Sequence, residues 1–276
     1  MTFMEKLEAI QKKRQSLLCV GLDVDEKLIP TILYSRYHDP VMGFIKEIIN
    51  ATQDVVCAYK LNIAFYEAMG DRGWELLREA LKLIPKDIVT IGDGKRGDIG
   101  NTSERYATAM YTTLGFDATT VNPYMGKDSI EPFLKSTEHC AFVLALTSNA
   151  GSKDFQRLLV NEKPVYEYVV KAAAKWNAKK NVGLVVGATH PNELEPIRKL
   201  ASDMPILIPG IGKQGGDLKS AVRYGCTKRG YLAIINASRS ILYASCSMDF
   251  AKAAQIEAVR LHKQIQKYRK LYFKIK

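Results

Sequence analysis

The sequence is poor in the residues that mark several common kinds of protein. Its five cysteines, Cys19, Cys57, Cys140, Cys226 and Cys246, are odd in number and scattered, with no Cys-x-x-Cys pair. Several lie in apolar runs, where a thiol behaves as a small hydrophobe. That spacing excludes a disulfide framework and a cysteine zinc site, and it fits a reducing compartment. The four histidines stand at His38, His139, His190 and His262. None has an Asp or Glu at metal-site spacing, so no metal is expected. His190, between Thr189 and Pro191, reads as a turn residue as readily as a catalytic one. No apolar run approaches the roughly 18 residues a membrane span needs, and Met1–Lys13 is charged throughout. A membrane partner and a secretory leader are therefore not expected, and the expected location is the cytoplasm. Linkers rich in proline or serine, low-complexity tracts and residue-level repeats are also missing.

What is present suits one large α/β unit. A chain of 276 residues, 47% of them hydrophobic, is the usual size of an α/β barrel. The formal charge is +11. Much of it lies in residues 252–276, where Glu257 is the one acid on a plainly helical segment. No basic motif interleaved with aromatics is found there, so a solvated helix face is expected and nucleic acid is not an expected partner. The remaining positive charge would steer an anionic substrate.

Eight short apolar, β-rich runs are predicted as strands: Leu17–Leu22, Val55–Leu61, Ile88–Ile91, Ala118–Val121, Ala141–Leu146, Val182–Val186, Ile206–Ile208 and Leu232–Ile235. Helical patterns lie between them, at Val41–Thr52, Tyr66–Leu83, Thr102–Leu114, Ser129–Lys135, Pro164–Trp176, Asn192–Leu200 and Leu218–Tyr224. Runs this uniformly apolar belong to a parallel sheet covered by helices. Eight strand–helix units without a linker predict a single (β/α)8 TIM barrel over residues 1–276, with its core at about 16–240. An extra N-terminal helix, Met4–Arg14, and a long basic C-terminal helix, at about 248–270, complete the expectation.

In such barrels the site forms where strands end, and here nearly every strand ends in a polar group. These are Asp23 and Asp25, Lys60 and Asn62, Asp93 and Lys95, Asn122, Thr147 and Ser148, Thr189 and His190, and Asn236 to Arg239. The stretch Ile91–Thr102 is the densest, with Asp93, Lys95 and Asp98 within six residues. Alternation on an extended chain would point Asp93 and Lys95 the same way, and Thr102 is expected to start a helix. Burying such charges is costly unless they are paired. The stretch is therefore either a structural salt bridge with a helix cap or a catalytic array. Past strand seven, Gly210, Gly212, Gly215 and Gly216 let backbone N–H groups approach an anion, with Gln214 as a further donor. Ser238 and Arg239 would complete that phosphate site. The same glycines match Gly-x-Gly-x-x-Gly, but only one strand follows and no acid lies about 20 residues on, so a dinucleotide site is rejected.

Asp93-x-Lys95-x-x-Asp98-Ile99-Gly100-x-Thr102, together with Lys60, the 210–216 loop and Ala237-Ser238-Arg239-Ser240, resembles the orotidine 5'-phosphate decarboxylase family. The longer bacterial form is the nearest, sharing Lys-Arg-Gly-Asp-Ile-Gly and Leu-Thr-Ser-Asn. The resemblance runs from Cys19 to Arg239. It implies decarboxylation of orotidine 5'-monophosphate to UMP in de novo pyrimidine synthesis, with neither metal nor organic cofactor. Lys95 would protonate C6, and Asp93 would sit against the substrate carboxylate. Lys60 and Asp23 would contact the ribose and Ser148 the pyrimidine, while Gln214 and Arg239 would hold the phosphate under a closing loop. Asp98 and Thr102 would reach the partner's site in a homodimer, completing a Lys60–Asp93–Lys95–Asp98 chain.

The chemistry suits those residues. Carbon dioxide leaving a ring carbon strands negative charge, which preorganised cations stabilise. A lysine between carboxylates stays protonated. Two departures from the family pattern are small: Ala150 replaces an expected proline, and Gly94 replaces another small residue. A Mg²⁺-dependent sugar-phosphate decarboxylase or aldolase of the same barrel group is the nearer rival, but it needs an extra carboxylate on strand two, where Lys60 and Asn62 stand. A non-enzymatic nucleotide- or RNA-binding protein would leave the charged array idle.

Overall fold

Each of the eight apolar runs forms a strand, and the strands pair in parallel in chain order until the last meets the first. The computed structural model describes residues 1–189, 191–211 and 217–275. The strands are β1 (Leu18–Gly21), β2 (Ala58–Asn62), β3 (Val89–Arg96) and β4 (Ala118–Val121), followed by β5 (Cys140–Leu146), β6 (Val182–Val186), β7 (Ile206–Pro209) and β8 (Ala233–Ala237). β1 closes the ring, with Cys19 opposite Ala58 on one side and Leu18 opposite Ile235 on the other. β1, β4, β6 and β8 are buried along their whole length, because helices cover the outside and side chains fill the inside. The (β/α)8 expectation is met.

The outer helices follow from ordinary signals. Pro40–Thr52 starts with proline behind an Asp39 cap, whose carboxylate accepts the Met42 N–H at 3.0 Å. It buries Phe44, Ile45, Ile48 and Ile49. The expected helix Tyr66–Leu83 is instead two, Ile63–Glu67 and Asp71–Leu83. Gly70, at φ +63°, breaks the periodic pattern between them by a left-handed step. The helix expected at Thr102–Leu114 begins earlier, at Gly100, and passes at Thr108 into a π-helical turn ending at Thr113. A small antiparallel hairpin pairs Leu159–Val160 with Lys163–Pro164; neither run is long enough to stand out in the sequence.

Both terminal helices are present. Phe3–Lys13 starts with a reciprocal Thr2–Glu5 capping box. It plugs the N-terminal end of the barrel, where buried Gln11 bonds the Leu232 N–H and the Ala233 carbonyl at 3.0 and 2.8 Å. Phe250–Tyr272 buries Phe250, Ala254, Ala258, Leu261, Ile265 and Arg269, a stripe at helical spacing. The basic helix is thus not a solvated face alone. Arg269 is fully buried, donates to the carbonyls of Gly230 and Gln15 at 3.0 and 3.1 Å, and lies over the Tyr231 ring. Its guanidinium serves backbone oxygens that burial would otherwise leave unpaired. Among the described residues, no helix is long and apolar enough to cross a membrane.

Candidate active site

The end of β3 departs from a regular strand. β3 pairs in register with β4 at Gly92 and Thr119, and next at Arg96 and Val121. Two extra residues of β3 are therefore accommodated in a bulge, the usual device for re-aiming a side chain at a barrel rim. Within it Lys95 takes a left-handed conformation, φ +45°, which is uncommon for a non-glycine residue. Its N–H donates to Thr120 Oγ1 at 2.9 Å, and Thr120 Oγ1 donates in turn to Asp93 Oδ1 at 2.8 Å. Lys95 Nζ meets the same Asp93 oxygen at 2.8 Å. Asp93 and Lys95 do converge, but through the bulge and not through the strand alternation the sequence suggested.

Asp93 is the centre of an alternating row of charges. Its other oxygen lies 3.2 Å from Lys60 Nζ, which lies 3.2 Å from Asp23 Oδ1. Ser238 Oγ then donates to Asp23 Oδ2 at 2.9 Å. Gly21 makes room for that contact, since a Cβ there would fall 2.0 Å from Ser238 Oγ. Lys60 is almost fully buried. Burial alone would lower its pKa, but the Asp23 and Asp93 carboxylates outweigh this and hold it well above the usual lysine value. Burial alone would raise Asp93, yet Lys60, Lys95 and Thr120 overcome it and hold the carboxyl well below the usual range.

A depressed carboxyl contributes stability that is present above its unfolded pKa and lost as pH falls through the folded one. Asp93→Asn is therefore expected to flatten the acid limb of stability below about pH 4. Denaturant unfolding of the variant and wild type across pH 2–6 measures this. Parallel curves would mean that Asp93 is not held low.

Two cavities open on this row. The larger, about 490 Å³, is lined by Asp23, Lys60, Ser238, Arg239 and Tyr243, among others. The smaller, about 270 Å³, is lined by Lys95, Thr120, Thr147, Ser148 and Leu207, among others. Lys60, Asp93 and Pro209 line both, so the Lys60–Asp93 pair stands at their junction. Gly187 allows Ser148 its position, because a Cβ there would lie 3.0 Å from Ser148 N. Gln156 braces the neighbouring Thr147 with bonds of 2.8 Å to its N–H and its hydroxyl. Ala150 opens a short 3₁₀ turn to Lys153 and needs no proline to do so.

Residues 16–254 match the family described as "Orotidine 5'-phosphate decarboxylase / HUMPS family". The chain belongs to that family. An orotidine 5'-phosphate decarboxylase of Dehalococcoides mccartyi (strain BAV1) is 48% identical over 276 residues, 99% of this chain and 100% of that one. One from Christiangramia forsetii is 48% identical over 268 residues, covering 96% of this chain and 97% of its own. The solved structure of Leishmania donovani OMP decarboxylase superposes with a TM-score of 0.82 at 36% identity, covering 96% of this chain and 99% of that one.

Of the residues expected from the decarboxylase family pattern, Asp23, Lys60, Asp93, Lys95 and Ser238 form one connected network, with Arg239 and Ser148 on its cavities. Asp98 and Thr102 are not part of it within one chain. Asp98 accepts the Ile99 N–H at 2.8 Å and lines neither cavity. Thr102 is the third residue of the helix Gly100–Ala107, whose N-cap position, Ile99, offers no side-chain cap. The helix thus starts two residues before Thr102, not at it. Gln214, Gly215, Gly216 and His190 lie outside the described residues. Two site residues escaped the sequence reading. Thr120 sits in the run Ala-Thr-Thr-Val, where it looks like any β-branched packing residue. Tyr243 follows the last strand end, and its four-residue spacing from Arg239 was its only signal.

Proposed function

We propose that this chain decarboxylates orotidine 5'-monophosphate to UMP and carbon dioxide in pyrimidine synthesis, with no metal or organic cofactor. The observation that carries the reading is Asp93, half-buried and clasped between Lys60 and Lys95 where two cavities meet. A pyrimidine in the smaller cavity would meet Ser148, and a phosphate in the larger would meet Ser238 and Arg239, with Gln214, Gly215 and Gly216 as further phosphate-binding residues. Asp23 and Lys60 would hold the ribose between them.

The substrate carboxylate then faces Asp93, a like charge that resists it, while Lys60 and Lys95 favour the charge left behind. The bond from C6 to the carboxyl carbon breaks, its electron pair stays on C6, and Lys95 Nζ supplies the proton. Phosphate binding far from the reacting carbon helps to offset the cost of that encounter.

Lys60 also weighs against the Mg²⁺-dependent rival. Its ammonium stands 3.2 Å from both Asp23 and Asp93, where a divalent cation would have to sit to use the two carboxylates. Asp98 and Thr102 belong, in this proposal, to the site of a second copy in a homodimer. Exposed Ile99, Tyr124 and Met125 near them offer an apolar surface for that contact. The enzyme works in the cytoplasm and engages neither membrane nor nucleic acid.

Loss of the orotate absorbance on adding orotidine 5'-monophosphate to protein in EDTA is the expected result. Turnover only after Mg²⁺ is restored would sink the metal-independent mechanism, and no turnover in either condition would sink the substrate.

A further inference from the structure

The larger cavity contains a polar group that the reaction above does not use. Tyr243 lines it beside Arg239. The two are four residues apart on one helical turn, closed by the Tyr243 N–H on the Arg239 carbonyl at 3.2 Å. Residues at that spacing lie on the same face of a helix. The tyrosine ring is held from behind: Phe44 stacks on it at 6.0 Å, and Phe250 stacks on Phe44 at 5.2 Å. Its hydroxyl oxygen accepts the Asp25 N–H at 2.7 Å.

A phenol that accepts one hydrogen bond still has one proton to donate. Among the described residues that proton has no protein acceptor. Burial pushes the phenol up to about 12, so the proton stays in place across the working pH range. A clamped donor, half-buried and lining the same cavity as Arg239, suits an anion with more than one oxygen.

We propose that Tyr243 is a further specificity residue of this site, donating its hydroxyl proton to the phosphate of a nucleoside monophosphate. This inference rests on the proposed decarboxylase activity. The same oxygen carries the Asp25 N–H, so one side chain links the bound phosphate to the segment after β1. That segment continues into the short turn Glu26–Leu28, and Leu28 stands on the cavity rim. Selectivity for phosphorylated over unphosphorylated nucleosides thus depends on a residue contributed by the last barrel segment and steadied by the helices Pro40–Thr52 and Phe250–Tyr272.

The test is competitive inhibition of orotidine 5'-monophosphate turnover by UMP and by uridine, in wild type and Tyr243→Phe. Phenylalanine keeps the ring stack and removes only the hydroxyl. The UMP inhibition constant and the KM are expected to rise about tenfold, with kcat and the uridine constant changing less than about twofold. An unchanged uridine constant also shows that the variant is folded. Equal weakening for both ligands would make Tyr243 a structural or ribose-side residue and overturn the proposal, as would no change for either. Wild type that neither turns over the substrate nor binds UMP would overturn the activity itself, and this inference with it.

Discussion

Replacing Lys95 by alanine is expected to lower kcat for orotidine 5'-monophosphate about ten-thousand-fold, with kcat/KM falling in parallel. Two losses combine. Among the described residues, the site loses the only ammonium that lines the smaller cavity apart from Lys60, and with it the proton that C6 needs. Asp93 also loses one of its two cations while keeping Lys60 at 3.2 Å, so the charge developing in the transition state meets a poorer field. Ground-state binding should suffer less, because the phosphate and ribose contacts are made elsewhere, and UMP should still bind. Stability should change little, since the Lys95 side chain is 48% exposed and exposed ion pairs contribute only about 0–1 kcal/mol. Single-turnover absorbance measurements beside a UMP titration test both halves. A drop of less than about tenfold in kcat would remove Lys95 as the proton donor.

Mixing two inactive variants is expected to restore activity. In the homodimer proposed here, Asp98 of one copy completes the site that contains Lys95 of the other. Lys95→Ala and Asp98→Ala should each be nearly inactive as pure proteins. After unfolding and refolding together in equal amounts, half the dimers carry one of each chain. Each such dimer places both lesions in one site and leaves the other intact, so about a quarter of wild-type activity should return. The structure motivates the experiment because, among the described residues, Asp98 accepts only the adjacent Ile99 N–H, and it lines neither cavity of its own chain. If the mixture remains as inactive as its components, Asp98 acts within its own chain or not at all.

Much of this molecule was legible before folding, and the reasons are local. Apolar β-branched runs such as Val182–Val186 and Ala118–Val121 became strands with the predicted limits, because a strand buried on both faces needs no partner of particular sequence to be apolar. Strand-end charges such as Lys60 and Asp93 stood out because an apolar run seldom ends in them without a use. Helix limits were less secure where one backbone conformation decided them, as at Gly70 and Gly100.

The sequence by itself determined the barrel, the order of its units and the kinds of residue at its mouth, since periodicity and composition are properties of neighbouring residues. Only the tertiary structure decided which of those residues meet. Asp23 joins Lys60 from 37 positions away and Ser238 from 215 positions away. Thr120 sets the bulge that turns Lys95 onto Asp93, Tyr243 reaches the Asp25 backbone, and Arg269 is drawn from a basic helix into the interior. Barrel closure brings these groups together, and neither the pairing of a charge nor its burial can be read from the residues beside it in the chain.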